Sequence, residues 1–390
     1  MINLLRRPFT RLMNWLEGRW VAPAYSGWVA IGLALFFFGA ATNTMAGWLY
    51  ATSGLMGALL VLGAVLPGRS LRTLTVRRLP IEPVSVGEVL TLALMIENTG
   101  RQDKTLLQVG DRLPAALGPT ATTVIESLAG LQAHRWQYTQ TAEKRGVYRW
   151  NEVILRSATP LGLFWGRRSH AVSAVAVVYP AVLPLSQCPL IDEMGQDLSR
   201  MTESQRRAQM ATEGVTRTLR PYRWGDPTRL IHWRTSARYG ELRLRELERF
   251  TGGQDVMIAL DSAGPWQEAT FEQAVTAAAS LYTYALRQGM TVSLWTAESG
   301  ALRGDRLVLE ALAAVQPGGD SSAYPPTQTP ILWLTQSAAS CATLAAQSRW
   351  LLWQPTDAGS LDSLSTAGAG LTIQPAESLL HQLQRPPYSG

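Results

Sequence analysis

Residues 25–66 read YSGWVAIGLALFFFGAATNTMAGWLYATSGLMGALLVLGAVL and contain no charged side chain. Within this stretch, residues 25–42 and 48–66 are each close to the length of about 20 residues that crosses a bilayer as a helix. The short uncharged linker between them predicts a hairpin of two transmembrane helices. A cleaved signal peptide and a pair of buried core helices are the alternative interpretations. Two adjacent charge-free runs favour the membrane hairpin, because a small soluble core has little room for both.

Arginines flank this hairpin on both sides. Residues 1–80 contain eight arginines and one acidic residue, whereas the remaining 310 residues carry 27 basic and 28 acidic groups. Basic residues concentrate on the cytoplasmic side of membrane helices. The sequence therefore predicts that both termini and everything after the hairpin are cytoplasmic, with residues 1–24 partly along the inner leaflet as an interfacial helix. The nearly neutral body excludes a protein that binds nucleic acid over its main surface.

Residues 70–180 change to a period of two. Apolar and polar side chains alternate at 91–97 and 134–139, and residues 147–150 and 172–178 add further short strands. Glycines separate these strands at intervals typical of turns. The pattern predicts an antiparallel, β-sandwich-like module. Residues 181–213 are expected to form a linker.

Strands and helices alternate in residues 250–390, which predicts an α/β doubly wound domain with a parallel sheet. Its first strand is expected at 255–261, and the long helix after it places apolar residues at helical spacing from Phe271 to Leu286. Asp261 ends the first strand, at the edge where such sheets bind ligands. Further strands are expected at 291–295, 331–335, 350–353 and 370–373, and further helices at 306–315, 340–347 and 376–383.

The segment 214–249 is rich in arginine, with nine arginines and four acidic residues between 217 and 249. Asp226 as N-cap and Gly240 as the left-handed residue after the last turn predict a helix. Trp233 and Ala237 share one face of it. Three interpretations stay open: a joint of arginine–carboxylate pairs between two domains, a surface that grips a partner protein, and a phosphate or nucleic-acid site.

The stretch LRPYRWGDPTRLIHWRTSAR at 219–238 closely resembles the defining stretch of the family called domain of unknown function 58. The sequences DRLP at 111–114, RGVY at 145–148 and PLGLF at 160–164 are similar to other recurring stretches of that family. Candidate motif and interaction residues follow from this match: Arg220, Tyr222, Gly225, Asp226, Arg229, His232, Trp233, Arg234, Ser236 and Arg238.

Two positions depart from the family pattern. His232 stands where aspartate is usual, and Thr159 stands where aspartate usually precedes the PLGLF stretch. An imidazole offers no permanent negative charge. An arginine contact made by that carboxylate in other members is therefore altered in this chain.

The resemblance implies a C-terminal domain similar to von Willebrand factor A and a functional link to MoxR-type AAA+ ATPases. Metal-binding members of that fold use Asp-x-Ser-x-Ser after the first strand, whereas this chain has Ala263 and Pro265 at the serine positions. Gln336 follows Thr335 where an aspartate is expected. Asp261 and Ser262 are thus the remaining metal candidates, for Mg²⁺, and we expect no cofactor.

No serine, cysteine or threonine lies in a recognisable nucleophile motif, and no glycine-rich phosphate loop with lysine is present. We therefore expect no catalytic residues. The expected function is a scaffold or adaptor in the bacterial inner membrane that works with a MoxR-type AAA+ ATPase in assembly or maturation of a membrane-associated complex. The alternatives are a divalent-metal-dependent protein-binding domain that uses Asp261, and a hydrolase acting on cell-envelope material.

Overall fold

The structure is a computed structural model that describes two compact units, residues 1–179 and 180–390. Most of the predicted interfacial segment 1–24 lies outside the described residues. Those residues are 21–198, 216–222, 228, 231, 233, 236–237, 240–247, 255–264, 266–318, 330–345, 347–353 and 369–387.

The first unit begins with two long apolar helices, α1 (Tyr25–Thr44) and α2 (Gly47–Ser70). Both are long and apolar enough to cross a membrane by length and composition. They pack against each other, and the Ser53 hydroxyl donates to the Ala34 carbonyl at 3.0 Å. Most of their apolar side chains are exposed, including Phe36 at 66%. Such exposure differs from that of a core helix in a soluble protein.

Two sheets make up the rest of this unit. Within residues 21–179 all strand pairs are antiparallel except β3 with β9. One sheet has the order β2-β4-β7, and the other has the order β1-β9-β8-β5-β6 with β3 beside β9. The strands are β1 (Ala22–Pro23), β2 (Leu74–Arg78), β3 (Val84–Ser85), β4 (Val89–Asn98), β5 (Lys104–Asp111), β6 (Ala121–Leu128), β7 (Ala133–Thr141), β8 (Gly146–Ser157) and β9 (Phe164–Tyr179).

The two sheets contribute to one apolar core. Leu94 and Ile96 of β4 belong to the same buried cluster as Val109 of β5 and Leu155 of β8. The inward residues alternate with outward ones, which is the period of two seen in the sequence. The prediction of a strand-rich region is confirmed, although β8 and β9 extend further than their apolar runs because polar residues cover their outer face.

The second unit contains a six-stranded sheet of order β14-β13-β12-β15-β16-β17. Its neighbouring strands are parallel except for β13 with β14. The strands are β12 (Asp255–Leu260), β13 (Thr291–Thr296), β14 (Gly300–Leu302), β15 (Ile331–Thr335), β16 (Arg349–Trp353) and β17 (Gly370–Ile373). The helices are α3 (Glu268–Arg287), α4 (Asp305–Ala314), α5 (Ala338–Cys341) and α6 (Leu379–Leu383).

Alternate residues of the central strand β12 pack on opposite faces of this sheet. Val256 and Ile258 join a cluster with Phe271 of α3. Met257 joins a second cluster with Cys341 of α5. A strand buried on both faces reads as a continuous apolar run, which explains why β12 was visible in the sequence.

Some predicted elements of the second unit are wrong in length or kind. The helix predicted at 340–347 is only the short α5, and the Thr343 hydroxyl bonds the Ser340 carbonyl just after it. Such local side-chain bonds compete with helix continuation. The predicted linker 181–213 contains a helix at 189–198, because Leu190, Ile191 and Met194 bury one face of it in the unit's core.

Candidate functional site

The described part of the family motif returns on itself as an antiparallel pair, β10 (Thr216–Pro221) with β11 (Arg243–Leu247). Arg220 of the motif lies opposite Leu244 in this ladder. The Tyr222 backbone N–H donates to the Leu242 carbonyl at 2.8 Å and extends the pairing. The motif thus begins in a strand that sequence patterning did not reveal.

Among the motif residues that the structure describes, Ser236 is polar and buried. Its hydroxyl accepts the backbone N–H of Arg243 at 2.9 Å, and its carbonyl accepts the N–H of Gly240 at 2.9 Å. Gly240 has φ of 70°, so its predicted left-handed conformation is confirmed. Ser236 therefore fixes the turn that leads into β11, and a glycine is suited to that turn.

Trp233 presents an aromatic ring to the surface. It is 66% exposed, and Ala237, on the same predicted face, is exposed too. Ile231 and Ser236 are the buried described residues of the segment. An exposed tryptophan favours a contact surface over a buried stacking joint at this position. Six motif residues lie outside the described residues, namely Gly225, Asp226, Arg229, His232, Arg234 and Arg238.

A second group of polar residues lies at the carboxyl ends of β12 and β15. The buried Thr335 hydroxyl donates to Asp261 Oδ2 at 2.7 Å. Thr335 Oγ1 in turn accepts the Ser337 backbone N–H at 2.9 Å and the Ser340 hydroxyl at 3.2 Å. The sequence singled out Asp261 but gave no sign of its contact with Thr335, which depends on the two strands being neighbours.

The side-chain oxygens described at this edge belong to one carboxylate, Asp261, and to the hydroxyls of Ser262 and Thr335. Mg²⁺ requires near-octahedral oxygen ligation, usually with one or two carboxylates. Asp261 supplies one carboxylate, and Ala263 has no side-chain oxygen. Ser262 Oγ is buried with no hydrogen-bond partner among the described atoms. In the described part of the chain, no three His, Cys, Asp or Glu residues group together.

Cys341 lies near the same edge and is buried. Burial and the negative charge of Asp261 raise the pKa of the Cys341 thiol to about 12. Burial likewise raises the pKa of Cys188 to about 11. Both thiols are therefore protonated at neutral pH, and neither has the thiolate character of a nucleophile or metal ligand.

The DRLP stretch places a buried carboxylate at the centre of a polar network in the first unit. Asp111 accepts two hydrogen bonds from Arg78, at 2.6 and 3.0 Å. The Tyr138 hydroxyl donates to it at 2.6 Å, and Trp150 Nε1–H donates at 3.0 Å. The Arg78 guanidinium also lies 5.0 Å from the centre of the Trp150 ring. Four chain segments are thus held by one fully buried side chain.

This network corrects the role given to Arg78. Arg78 is one of the eight arginines predicted to flank the membrane hairpin, but its side chain is only 4% exposed and is neutralised by Asp111. Arg77 is 75% exposed and remains a surface charge. The alternation could have revealed this, because Arg78 shares a strand face with Leu74 and Val76.

The PLGLF stretch joins the apolar helices to the sheet. The Ala24 backbone N–H donates to the Leu163 carbonyl at 2.8 Å, and the Ser26 hydroxyl donates to the Gly162 carbonyl at 2.6 Å. A β-carbon on Gly27 would collide with the Leu163 carbonyl oxygen. A β-carbon on Gly63 of α2 would lie 3.3 Å from Leu163. The beginning of α1 and the later part of α2 therefore both pack closely on this loop.

One region of this chain matches a known protein family. Residues 218–316 match the family described as "Protein of unknown function DUF58". The match covers about a quarter of the chain. The match begins within β10 and continues through the described motif residues to the end of α4, so it includes Asp261. The family that the motif predicted is confirmed.

Other comparisons are weaker. No curated protein matches the chain. Similar solved structures include the CARDB domain of a Pyrococcus furiosus protein, at 14% identity over 27% of this chain and 93% of that one, with a TM-score of 0.19. Another is the Pseudomonas fluorescens alkylpurine DNA glycosylase AlkC, at 14% identity over 34% of this chain and 40% of that one, with a TM-score of 0.17. TM-scores this low carry no argument about fold or function.

Proposed function

We propose that this DUF58 protein is a membrane-anchored scaffold or adaptor of the bacterial inner membrane. In this proposal α1 and α2 span the bilayer, and the strand-rich unit is a β-sandwich module on the cytoplasmic side. The second unit is a von Willebrand factor A-like domain that contacts a MoxR-type AAA+ ATPase. The chain then works by contact during assembly or maturation of a membrane-associated complex, without catalysis.

One observation carries the anchoring part of the proposal. The helices expose apolar side chains along their length, yet the beginning of α1 and the later part of α2 are held against the PLGLF loop. A bilayer would cover the exposed apolar surface, and moving such surface out of water is favourable by roughly 25 cal/mol per Å². The arrangement also puts both outer ends of the hairpin beside the strand-rich unit, with the tip at Met45 directed away along the helices.

Charge supports the cytoplasmic orientation. Arg69 lies in the last turn of α2, and Arg72 and Arg77 follow it on exposed positions. Arginines just outside membrane helices remain on the cytoplasmic side. The hairpin tip at residues 43–47 has no charged side chain that would hinder its transfer across the bilayer.

The contact function is supported by the exposed Trp233 within the family motif. Tryptophan is enriched at the centres of protein interfaces, where removal of one ring often weakens binding by 2 kcal/mol or more. The Asp261 edge supports contact over catalysis because Thr335 engages its carboxylate and because alanine and proline, at 263 and 265, replace the two serines of the metal-binding pattern.

The proposal is tested by affinity purification of the tagged full-length chain from a detergent extract. We expect a MoxR-type ATPase to be recovered with wild type and with Leu307→Ala, an exposed apolar residue outside the motif. We expect Trp233→Ala to lose it while keeping the same melting temperature. If no such ATPase is recovered with the wild type, the proposed partner is wrong. If Trp233→Ala recovers as much ATPase as the wild type, Trp233 is not part of the contact.

A further inference from the structure

One end of the strand-rich unit holds three connections between strands and meets both apolar helices. The connections are 99–103 between β4 and β5, 129–132 between β6 and β7, and 158–163 between β8 and β9. Just before α1, the Ala24 backbone N–H donates to the Leu163 carbonyl at 2.8 Å. Just after α2, the Thr73 carbonyl accepts the backbone N–H of Thr99 at 2.9 Å. We call this the hairpin end of the strand-rich unit.

The hairpin end presents leucine side chains to its surroundings. Among residues 74–179, all of which the structure describes, the exposed leucines are Leu106 at 59%, Leu131 at 70% and Leu161 at 41%. Leu131 and Leu161 lie in two of the connections, and Leu106 lies near the beginning of β5. The Thr159 hydroxyl donates to the Thr105 carbonyl at 3.3 Å, which ties the beginning of β5 to the β8–β9 connection. The three leucines therefore all belong to this end.

Two of these leucines have a left-handed backbone conformation. Leu106 has φ of 50° and Leu131 has φ of 61°. This region is unfavourable for a bulky side chain, and glycine or asparagine would suit it better. Such outliers persist where the surrounding structure enforces them, and they cluster at functional sites. The fold thus holds two apolar side chains outward at a conformational cost.

The β8–β9 connection meets the helices within their charge-free part. Ser26, the second residue of α1, donates its hydroxyl to the Gly162 carbonyl at 2.6 Å. A β-carbon on Gly63 of α2 would lie 3.3 Å from Leu163. Gly63 precedes Arg69 by six residues, which is about 9 Å of helix rise. With α1 and α2 in a bilayer and Arg69 at its cytoplasmic surface, this connection lies on the lipid side of Arg69.

Charge at the hairpin end fits an anionic membrane surface. Residues 69–73 and the three connections contain the arginines 69, 72 and 101 and one acidic residue, Asp103. The three arginines are exposed. Basic residues close to a membrane are attracted to the anionic lipids of the cytoplasmic leaflet. The same end thus combines outward apolar side chains with a net positive charge, the combination found in surfaces that enter the membrane interface.

We propose that the hairpin end lies in the head-group region of the membrane, with Leu106, Leu131 and Leu161 inserted among the lipids. The occupant of this surface follows from continuity, because the helices that enter the bilayer begin and end on it. Removing the leucine side chains from water is favourable, which offsets the backbone strain at residues 106 and 131. The inference rests on the membrane anchoring proposed above. It adds a second membrane contact, which fixes the orientation of the strand-rich unit on the bilayer.

Spin labels on single introduced cysteines test this contact. The full-length chain is reconstituted into vesicles of phosphatidylethanolamine and phosphatidylglycerol, and the two native cysteines are buried. The labelled variants are Leu106→Cys, Leu131→Cys and Leu161→Cys at the hairpin end, the controls Val124→Cys and Val175→Cys, and Phe36→Cys on α1. Both control valines are more than half exposed but lie within β6 and β9, away from the hairpin end. Each label's collisions with oxygen, which concentrates in lipid, are compared with its collisions with a water-soluble nickel chelate.

We expect the ratio of oxygen to nickel collisions at the three leucine positions to shift away from the value at the two control valines and toward the value at Phe36. Leucine positions that match the controls, while Phe36 remains in lipid, would overturn this inference and leave the anchoring intact. Few collisions with either reagent at the leucine positions would indicate a protein contact and would overturn the lipid assignment. Free access of the nickel chelate to Phe36 would refute the anchoring itself.

Discussion

Replacing Asp111 with alanine should destabilise the strand-rich unit more than any surface change. The substitution leaves the Arg78 guanidinium, 4% exposed, without its carboxylate. Breaking a buried ion pair by removing one partner costs about 3–5 kcal/mol. It also orphans the Tyr138 hydroxyl and the Trp150 indole N–H, each at roughly 1 kcal/mol or more. We expect a loss of about 5 kcal/mol in the free energy of local unfolding, which is over a thousandfold in the opening equilibrium.

Hydrogen exchange of the full-length chain measures this loss locally, on peptides from β5 and β8. Glu126→Ala, an exposed acid on β6, is the control and should change exchange by less than threefold. The double variant Arg78→Met/Asp111→Leu should recover much of the loss, because no buried charge is then left unpaired. An Asp111→Ala chain that exchanges within tenfold of the wild type would refute the buried network.

Three further predictions concern the helix junction, pH and the thiols. Gly27→Ala should lower the stability of the protein in thermal unfolding by about 1–3 kcal/mol, because the new β-carbon would collide with the Leu163 carbonyl. The control Gly32→Ala places its β-carbon in open space and should have little effect. Equal effects of the two substitutions would contradict the close packing at Gly27. Burial and the charge of Arg168 lower the pKa of His170, so the unfolded chain binds the proton more readily than the folded chain. The melting temperature should therefore fall as the pH drops from 7.5 to 5.5. His170→Gln should reduce this pH dependence, and an unchanged dependence would contradict the role of His170. Both native cysteines should resist maleimide at pH 7 until the chain is denatured, which mass spectrometry of the intact protein would show.

Much of the fold could be predicted because single segments carry their own signal. The apolar helices follow from two charge-free runs, and β12 follows from a continuous apolar run that only a strand buried on both faces needs. β14 was missed because three residues are too few to show a period. The predicted helix at 340–347 failed because hydroxyl side chains there bond the local backbone.

The sites were harder to predict because they depend on pairs distant in sequence. The contact of Thr335 with Asp261 requires β12 and β15 to be neighbours, which strand order decides and a single strand does not reveal. The pairing of Arg78 with Asp111 was within reach, since each continues the inward register of its own strand. The cluster of arginines after the hairpin suggests that Arg78 lies beside the membrane. Its position in the alternating pattern of β2 instead indicates that its side chain faces the core.

The most direct test of the central claim is the sidedness of the hairpin in intact cells. Met45 at the tip is 87% exposed, and Glu298 is an exposed residue of the second unit. Single cysteines introduced as Met45→Cys and Glu298→Cys would be labelled with a membrane-impermeant maleimide, against a low background from the two buried native thiols. We expect Met45→Cys to be labelled from outside the inner membrane, and Glu298→Cys to be labelled only after the membrane is opened. Labelling of Glu298→Cys in intact spheroplasts would contradict it.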